Sequence, residues 1–563
     1  MRTRRGAEER DHADRTVEGH GGTLAVAAAR AHGIDTMFTL SGGHVLPLYD
    51  AAAGAAPPMR VVDVRHEQTA VFAAEATAKL TRRPGLAVLT AGPGVTNGIS
   101  AVATAWFNGS PMLVLGGRAP AFRWGSGALQ ELDHPPLLAP ITKRAATVHD
   151  TDRITAEVDA ALTLANSPHR GPVFLDVPMD VLYDRAEVSL PDPTPPVPVL
   201  PDPDPVAEVA DLLARAARPV LVLGQDVWIG GAEHAARRAA ETMGIPVVAN
   251  GMGRGVLPAG HPLLAGRARL TALGGADLVL VAGAPLDFRL GYGSFGGRGG
   301  GAPARVVHLT DAPAGPTAHA HCAMTLAADL TALFDALTAA WERVGRVGMY
   351  RIWAAHVRDA ARTAAQSDAP LLGSPGRPIH PARVHGELLR RLDEDAVVIG
   401  DGGDFVSFAG KYIEPARPGG WLDAGPYGCL GTGLGYALGA RLARPAAQVV
   451  LLLGDGAAGF SLMDVDTLVR HRLPVVLIVG NNGCWALEKH PMRMLYGHDV
   501  AADLTPGTRY DDVVRALGGA GETITRSERI GPALRRAFDS GVPYLLNVLT
   551  DPEAVYPRTT MGV

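Results

Sequence analysis

An aspartate between two glycines, followed one predicted strand later by a pair of asparagines, is the most informative pattern in the sequence. Gly454-Asp455-Gly456 comes directly after the apolar run 448–453, and Asn481-Asn482 follows the next apolar run, 474–479. Adjacent parallel strands lie about 4.8 Å apart, so an Asp and an Asn at neighbouring strand ends can reach one small cation. Mg²⁺ prefers such oxygen ligands and usually adds phosphate oxygens to them. The backbone carbonyl of Cys484 is a candidate third ligand.

The Gly-Asp-Gly tripeptide alone does not identify a metal site. The same tripeptide commonly forms a turn at the end of a strand, and an Asn pair can simply cap a helix. Gly400-Asp401-Gly402 serves as an internal control, because it also follows an apolar run but has no Asn pair one strand later. We therefore assign no metal to Asp401, although its turn could touch a phosphate through backbone amides.

Glu67 is a second candidate for chemistry. It follows Arg65-His66 at the junction between the strand-like run 61–64 and the helical stretch 68–80, where a carboxylate faces the crevice at the strand ends. The simpler interpretation is an acid in the first turn of a helix, which the helix dipole favours by about 0.3–1 kcal/mol. The downstream turn Gly92-Pro93-Gly94 is equally open to a plain structural interpretation.

Every third of the chain repeats the elements that would position these residues. Each has short runs of β-branched and leucine residues, glycine-containing turns and alanine-rich amphipathic stretches. Runs that are apolar on both faces predict parallel sheets covered by helices, and hence an α/β fold of three doubly wound domains. Ligands in such sheets bind at the carboxyl ends of the strands. Two proline-rich segments predict linkers, which gives a flexible terminus (1–20), a first domain (21–188), a linker (189–205), a central domain (206–366), a second linker (367–380) and a third domain (381–563).

Composition excludes several classes of protein. A length of 563 residues indicates about three or four domains. Lys and Arg number 52 against 57 Asp and Glu, a net charge of -5, which argues against a nucleic-acid partner. No run approaches the roughly 18 apolar residues of a membrane span, and the opening segment lacks the apolar stretch of a secretory signal. The scattered cysteines form no disulfide framework, so we expect a cytoplasmic protein. Because the charge argues against a nucleic-acid partner, we expect the protein to act on a small molecule.

Gly-Asp-Gly followed by Asn-Asn, with Arg65-His66-Glu67 far upstream, resembles the thiamine-diphosphate enzymes of the acetolactate synthase, 2-hydroxyacyl-CoA lyase and benzaldehyde lyase group. The likeness covers nearly the whole chain from about Gly22. It implies a pyrimidine-binding first domain and a diphosphate-binding third domain on either side of the central one. By this resemblance Asp455, Asn482 and the Cys484 carbonyl bind Mg²⁺. Glu67 then shifts the cofactor's pyrimidine ring to the tautomer that activates the thiazolium.

The resemblance also assigns the remaining contacts with the cofactor. Leu430 would wedge between its two rings, although a core leucine looks the same in sequence, and the Gly428 carbonyl would accept a hydrogen bond from its amine. Phe405 stands where acetolactate synthases commonly have a histidine. The full set of expected cofactor residues is Pro93, Asn97, Gly403, Asp404, Phe405, Gly428, Leu430, Gly454, Gly456 and Ala457.

The residues expected to face the substrate give a mixed indication of the reaction. Gln130 and Lys143 resemble elements of acetolactate synthases, and Arg289 matches an arginine that meets the acceptor carboxylate there. His44 instead matches a histidine of benzaldehyde lyase-like members, where an imidazole can act as general acid and base. A histidine after two glycines is also a common solvated loop residue.

Three further features concern the substrate pocket and the central domain. Trp485 and Glu488 are expected to wall the pocket, although Trp485 could equally pack in the core. Pro491 occupies the position of the family tryptophan that selects 2-ketobutyrate. The stretch 266–276 is short for a flavin-binding segment, so whether FAD or ADP occupies the central domain stays open.

The resemblance implies a carboligase that decarboxylates pyruvate or a related 2-keto acid and adds the acyl carbanion to a second carbonyl. One alternative is a lyase for 2-hydroxyacyl-CoA or acyloins, and another is a regulatory relative that keeps the cofactor without catalysis. A nicotinamide oxidoreductase is disfavoured, since the turn after Leu223 lacks GxGxxG. The resemblance also implies a homodimer or homotetramer in which Glu67 of one subunit faces the diphosphate domain of another.

Overall fold

Three parallel β-sheets, each covered by helices, divide the chain into three domains and confirm the predicted fold class. The computed structural model describes residues 16–298, 300–312 and 321–556. The central strands of each sheet are short apolar runs buried on both faces, which explains why their sequences do not alternate between polar and apolar residues. None of the described helices combines the length and the apolar character needed to cross a lipid bilayer.

The first domain contains a six-stranded sheet with the order β3-β2-β4-β5-β7-β6 and a separate antiparallel pair, β1 with β8. Its elements are β1 (Thr16–His20), α1 (Gly21–Ala31), β2 (Thr36–Thr39), α2 (Leu46–Gly54), β3 (Arg60–Asp63), α3 (Glu67–Thr81), β4 (Gly85–Leu89), α4 (Pro93–Asn97), α5 (Ile99–Phe107), β5 (Met112–Arg118), α6 (Pro135–Leu138), β6 (Ala145–Thr147), α7 (Ile154–Asn166), β7 (Pro172–Pro178), α8 (Met179–Tyr183) and β8 (Arg185–Ser189).

The central domain has a five-stranded sheet with the order β10-β9-β11-β12-β13. Its elements are α9 (Pro203–Arg215), β9 (Pro219–Leu223), α10 (Gln225–Ile229), α11 (Glu233–Met243), β10 (Val247–Ala249), α12 (Arg269–Gly275), β11 (Leu278–Ala282), β12 (Arg305–Thr310), β13 (Met324–Ala327), α13 (Leu330–Val344) and α14 (Arg351–Leu372).

The third domain repeats the six-stranded design with the order β15-β14-β16-β17-β19-β18. Its elements are α15 (Pro381–Leu389), β14 (Val397–Asp401), α16 (Asp404–Tyr412), β15 (Trp421–Asp423), α17 (Thr432–Ala443), β16 (Val449–Gly454), α18 (Asp455–Ser461), α19 (Val465–Arg470), β17 (Val476–Asn481), α20 (Ala486–Tyr496), α21 (Tyr510–Ala516), β18 (Ala520–Ile524), α22 (Ile530–Asp539) and β19 (Tyr544–Leu549).

The structure differs from the expected boundaries at three places. Residues 16–20, expected in a flexible terminus, form β1, because β8 supplies them with a pairing partner. Helix α9 begins at Pro203 inside the first expected linker, since proline is tolerated in the first turn of a helix. Helix α14 continues to Leu372 in spite of Pro370, so the second expected linker is partly helical.

Helices α3 and α17 pack the first domain directly against the third. Phe72 and Tyr436 meet edge to face with ring centroids 5.9 Å apart. Beside them the buried Glu75 accepts hydrogen bonds from Tyr436 Oη at 2.8 Å and Asn108 Nδ2 at 2.9 Å, and it pairs with Lys79 Nζ at 3.1 Å. Because each polar group here has a partner, the buried network fixes how the two domains dock.

A smaller ionic cluster joins the first domain to the central one. His169 Nδ1 lies 3.0 Å from Asp311 Oδ1 and 3.6 Å from Asp226 Oδ2. Although burial opposes its charge, the two carboxylates raise the pKa of His169 to about 9. This histidine therefore acts as a cation between two acids from the ends of β9 and β12.

Candidate active site

The aspartate and the asparagine singled out by their spacing lie at neighbouring strand ends of the third sheet. Strands β16 and β17 are parallel partners, with Gly454 opposite Gly480. Asp455 begins α18 directly after β16, and Asn482 follows β17. Both residues therefore stand at the carboxyl edge of the sheet, where doubly wound domains bind their ligands.

Asp455 is held between these two strand ends and is 3% exposed. Its Oδ1 accepts a hydrogen bond from its neighbour Gly456 N at 3.0 Å, and its Oδ2 accepts one from Gly483 N at 2.7 Å. Burial raises the pKa of Asp455 to about 6, against the opposing effect of the two amides. A carboxylate that burial destabilises in this way gains from a nearby cation.

The two asparagines at the end of β17 have different roles. Asn481 lies within the strand and faces the neighbouring segments, donating to Thr508 O at 3.0 Å and to Asn547 Oδ1 at 3.1 Å. Asn482 lies one residue further, where its Oδ1 accepts a hydrogen bond from Cys484 N at 3.2 Å. Asn482, unlike Asn481, therefore lies beyond the sheet, next to Gly483, whose amide donates to Asp455.

The backbone around Asp455 fits a metal-bound diphosphate. At Gly402, which has φ +115°, a Cβ would lie 3.1 Å from Gly454 N, so the two glycine turns approach with no room for a side chain. At Gly403 a Cβ would meet Leu487 Cδ1 at 2.5 Å. Helix α16 begins beside these glycine turns at Asp404, and the free amides of a helix N-terminus favour an anion. Together with hard oxygen donors, this backbone suits Mg²⁺ and phosphate oxygens.

Asp401, the internal control in the sequence, has different hydrogen-bond donors from those of Asp455. Its Oδ1 accepts from Gly431 N at 3.1 Å and its Oδ2 from Gly433 N at 2.8 Å, at the start of α17. Burial raises the pKa of Asp401 to about 7, even though both amides favour the charged form. Asp401 thus caps the helix that packs on the first domain.

A second group of predicted residues gathers at the carboxyl edge of the first sheet. Glu67 begins α3 after β3, is 7% exposed, and its Oε2 accepts from Asn97 Nδ2 at 3.0 Å. Asn97 ends α4, the short helix that Pro93 begins. In the part of the chain that the structure describes, Asn97 is the hydrogen-bond partner of the Glu67 carboxylate, which leaves Oε1 for a ligand.

His44 lies in a short 3-10 turn after β2, and it is buried rather than solvated. Its Nδ1 is 3.2 Å from Thr90 Oγ1 at the end of β4. Burial lowers the pKa of His44, so the imidazole is neutral near pH 7 and can accept a proton. Gln130 reaches the same edge, with φ +58° and its Cβ near Gly92.

Two residues expected to face the substrate already have partners. Lys143 Nζ donates to Leu164 O at 2.7 Å and to Ser167 O at 2.8 Å, at the end of α7. Arg289 binds Asp287 with two of its nitrogens, the shorter contact being 2.7 Å. The structure brings neither side chain to the two strand edges described above.

The remaining predicted residues of the third domain lie in different surroundings. The Trp485 ring covers the turn, since a Cβ at Gly456 would lie 2.4 Å from it, and Glu488 is exposed on α20. The Phe405 side chain packs into the core, and its carbonyl is 3.0 Å from His385 Nε2. Gly428 and Leu430 lie in the segment before α17, and Ala457 is buried in α18.

Two positions that sequence reasoning missed support this geometry. Asp464 accepts hydrogen bonds from Arg65 N at 2.7 Å and Thr69 Oγ1 at 2.6 Å, which holds the turn around Glu67 against the third domain. His134 accepts one from Gly92 N at 3.0 Å. Both contacts join distant segments and leave no local signal in the sequence.

Comparison with known proteins agrees with this arrangement of domains. Three models of thiamine pyrophosphate enzymes match: the N-terminal TPP binding domain at 19–137, the central domain at 206–337 and the C-terminal TPP binding domain at 401–548. The chain belongs to the thiamine pyrophosphate enzyme family. The predicted resemblance is therefore confirmed, and the two edges described above lie in or beside its TPP binding domains.

Relatives within the family carry two kinds of name. The chain is 49% identical to a probable acetolactate synthase of Mycobacterium bovis, covering 96% of this chain and 97% of the relative. The acetolactate synthase large subunit of Mycobacterium tuberculosis shows the same values. A 2-hydroxyacyl-CoA lyase 2 of Caenorhabditis elegans is 35% identical, covering 91% of this chain and 86% of the relative.

Proposed function

We propose that this chain is a Mg²⁺- and thiamine-diphosphate-dependent carboligase of the acetolactate synthase type. It would decarboxylate pyruvate or a related 2-keto acid and join the acyl unit to a second carbonyl compound. The observation that carries this proposal is the 49% identity to acetolactate synthases over almost the full length of both chains. The placement of Glu67 and Asp455 at two strand edges supports it.

Each edge would contribute a separate function. Asp455, Asn482 and the Cys484 carbonyl would hold Mg²⁺ on the diphosphate, and the glycine turns would surround it. When bound, thiamine diphosphate supplies a carbon nucleophile and accepts the electrons released by decarboxylation. Glu67 Oε1, free of the hydrogen bond to Asn97, would exchange a proton with the pyrimidine ring. His44, neutral because burial lowers its pKa, would take up or return the proton of the substrate oxygen.

We also propose that the active unit contains at least two chains, with each site formed by the first domain of one and the third domain of its partner. Within one chain, the Glu67 carboxylate makes its hydrogen bond to Asn97 of its own domain, and the described third-domain residues provide none. Light scattering on the active protein tests this. A fully active monomer would contradict it.

The proposed activity is tested by supplying pyruvate, Mg²⁺ and thiamine diphosphate and measuring acetolactate, or the acetoin formed from it by acid. We expect turnover in the wild type and a loss of about 10² to 10⁴-fold in Glu67→Gln, because general acid-base catalysis contributes that range. Cofactor affinity of Glu67→Gln should stay close to the wild-type value. An unchanged rate would remove Glu67 from the chemistry.

A lyase acting on 2-hydroxyacyl-CoA is the second candidate, and one observation favours it. Arg289, expected to bind an acceptor carboxylate, is already paired with Asp287 at 2.7 Å. Relatives named 2-hydroxyacyl-CoA lyase 2 are also similar over most of the chain. Cleavage of a 2-hydroxyacyl-CoA to an aldehyde, without CO₂ release from pyruvate, would select this function over the carboligase.

A further inference from the structure

A buried histidine lies behind the first-domain edge of the site, out of reach of any substrate. His134 and Asp176 are both 0% exposed. The His134 imidazole bridges two groups: its Nε2 is 3.0 Å from the amide nitrogen of Gly92, and its Nδ1 is 2.8 Å from Asp176 Oδ2. Arg118 Nη1 donates to the same Asp176 oxygen at 2.9 Å.

These contacts determine which ring nitrogen carries the proton. The amide of Gly92 can only donate, so His134 Nε2 must offer its lone pair. Nδ1 must then carry the hydrogen that Asp176 accepts. A doubly protonated ring would set Nε2–H against the Gly92 N–H, and a rotated ring would leave both neighbours with the wrong partner. Asp176 therefore holds His134 as a neutral acceptor aimed at one backbone amide.

That amide begins the turn that carries two of the predicted cofactor residues. Gly92 has φ +61°, and Pro93 and Asn97 begin and end the helix α4 that follows it. Asn97 Nδ2 in turn donates to Glu67 Oε2 at 3.0 Å. One continuous series of hydrogen bonds and backbone thus leads from the Asp176–His134 pair to the carboxylate of Glu67.

We propose that His134, oriented by Asp176, is a positioning residue: it fixes the Gly92 turn, and through Asn97 it sets the placement of Glu67. The inference rests on the proposed function, because it concerns how precisely Glu67 meets the cofactor. A displacement of 1 Å at a site can cost about 10²-fold in rate, so a turn without this anchor affects turnover as well as stability.

The test compares His134→Leu with His134→Gln. Leucine removes both hydrogen bonds, whereas the glutamine amide can accept from Gly92 N–H with its oxygen and donate to Asp176 with its nitrogen. The matched control is His32→Leu, which removes a histidine of the same domain whose Nε2 is 2.8 Å from Asp159 Oδ1, away from the turn.

Hydrogen exchange of the cofactor-free proteins, read by mass spectrometry, gives the first measurement. We expect faster exchange in a peptide spanning 92–97 for His134→Leu, and wild-type exchange there for His134→Gln and His32→Leu. This measurement needs no cofactor, so it also applies if turnover is weak. Unchanged exchange at 92–97 in a folded His134→Leu protein would overturn the proposal.

Turnover per bound cofactor gives the second measurement, taken after the wild type has been shown to bind thiamine diphosphate. We expect kcat to fall about tenfold to 10²-fold in His134→Leu and to recover to within about threefold in His134→Gln. Equal losses in both variants, or an unchanged kcat in His134→Leu, would overturn the role of His134. Absence of binding or turnover in the wild type would instead reject the proposed function itself.

If His134→Leu does not fold, Asp176→Leu replaces it. Leucine offers no acceptor to His134 Nδ1–H, so the ring is no longer held in the tautomer that accepts from Gly92 N. The expected result is the same rise in exchange at 92–97 with a fall in kcat. Wild-type exchange and kcat in a folded Asp176→Leu protein would contradict the proposed orientation of His134.

Discussion

The two Gly-Asp-Gly turns of the third domain share a sequence, a preceding strand and a buried aspartate, yet they use that aspartate in different ways. Asp401 directs both carboxylate oxygens into its own domain, where they accept from Gly431 N and Gly433 N and cap α17. Asp455 also accepts from two amides of its domain, but one of them is Gly456 N of its own turn and the other is Gly483 N at the next strand end, beside Asn482. What stands at the neighbouring strand end therefore distinguishes a structural aspartate from a candidate metal ligand.

The largest difference between the two turns should be in cofactor binding. We expect Asp455→Asn to weaken Mg²⁺-dependent binding of thiamine diphosphate by about 10²-fold or more, because the proposed charged ligand of the ion is lost. Asp401→Asn should keep that affinity to within about threefold of wild type. Calorimetric titration of both variants checks this, and equal losses would show that the two turns do not differ as described.

The reverse difference should be in folding stability. Asp401→Asn replaces one of the two acceptor oxygens by an NH₂ group that faces a buried amide N–H, which we expect to cost about 1–3 kcal/mol of the unfolding free energy. Urea denaturation of the cofactor-free proteins measures it. A larger loss of unfolding free energy for Asp455→Asn than for Asp401→Asn would contradict the structural role of Asp401.

The adjacent asparagines extend the comparison to a single dipeptide. Asn482→Ala should lower Mg²⁺ affinity by about tenfold, since it removes the amide oxygen that we propose as a ligand. Asn481→Ala should leave Mg²⁺ affinity near wild type and reduce stability, because Asn481 bonds to Thr508 and Asn547 inside the fold. Titration of both variants with Mg²⁺, in the presence of thiamine diphosphate, measures this difference. A larger affinity loss in Asn481→Ala would reverse their roles.

The smallest effect concerns pH. Burial raises the pKa of Asp401 to about 7, above its ordinary value near 4, so its folded form favours the proton. The stability it contributes is full below the ordinary value and declines as pH rises through about 7. Between pH 5.5 and 8.5 the unfolding free energy of wild type should therefore fall relative to Asp401→Asn. A rise of the wild-type unfolding free energy relative to Asp401→Asn would show that the two amides, which lower the pKa of Asp401, outweigh the burial that raises it.

The fold and the main edge of the site follow from local patterns in the sequence. Apolar runs predict the three sheets, and the distance from Asp455 to Asn482, one strand and its preceding helices, places them at neighbouring strand ends. The choice between Asn481 and Asn482 depends on where β17 ends, which periodicity alone does not define to one residue.

Contacts between distant segments account for what the sequence could not predict. Asp401 finds its amide donors thirty residues downstream, and Lys143 is held by the end of α7. Arg289 has a local partner in Asp287, but an Asp two residues away in sequence does not by itself indicate a bidentate pair. The His134–Asp176 pair joins the residue before α6 to β7, 42 residues later in the chain.

The most direct test of the central claim, that the chain binds thiamine diphosphate through Mg²⁺, is a calorimetric titration. The purified chain is titrated with thiamine diphosphate once in the presence of Mg²⁺ and once with a chelator. We predict saturable uptake of about one cofactor per chain with Mg²⁺ and a marked loss of affinity with the chelator, because in the proposed site Asp455 and Asn482 hold the diphosphate through the ion. No uptake with Mg²⁺, or equal uptake in both conditions, would contradict the account.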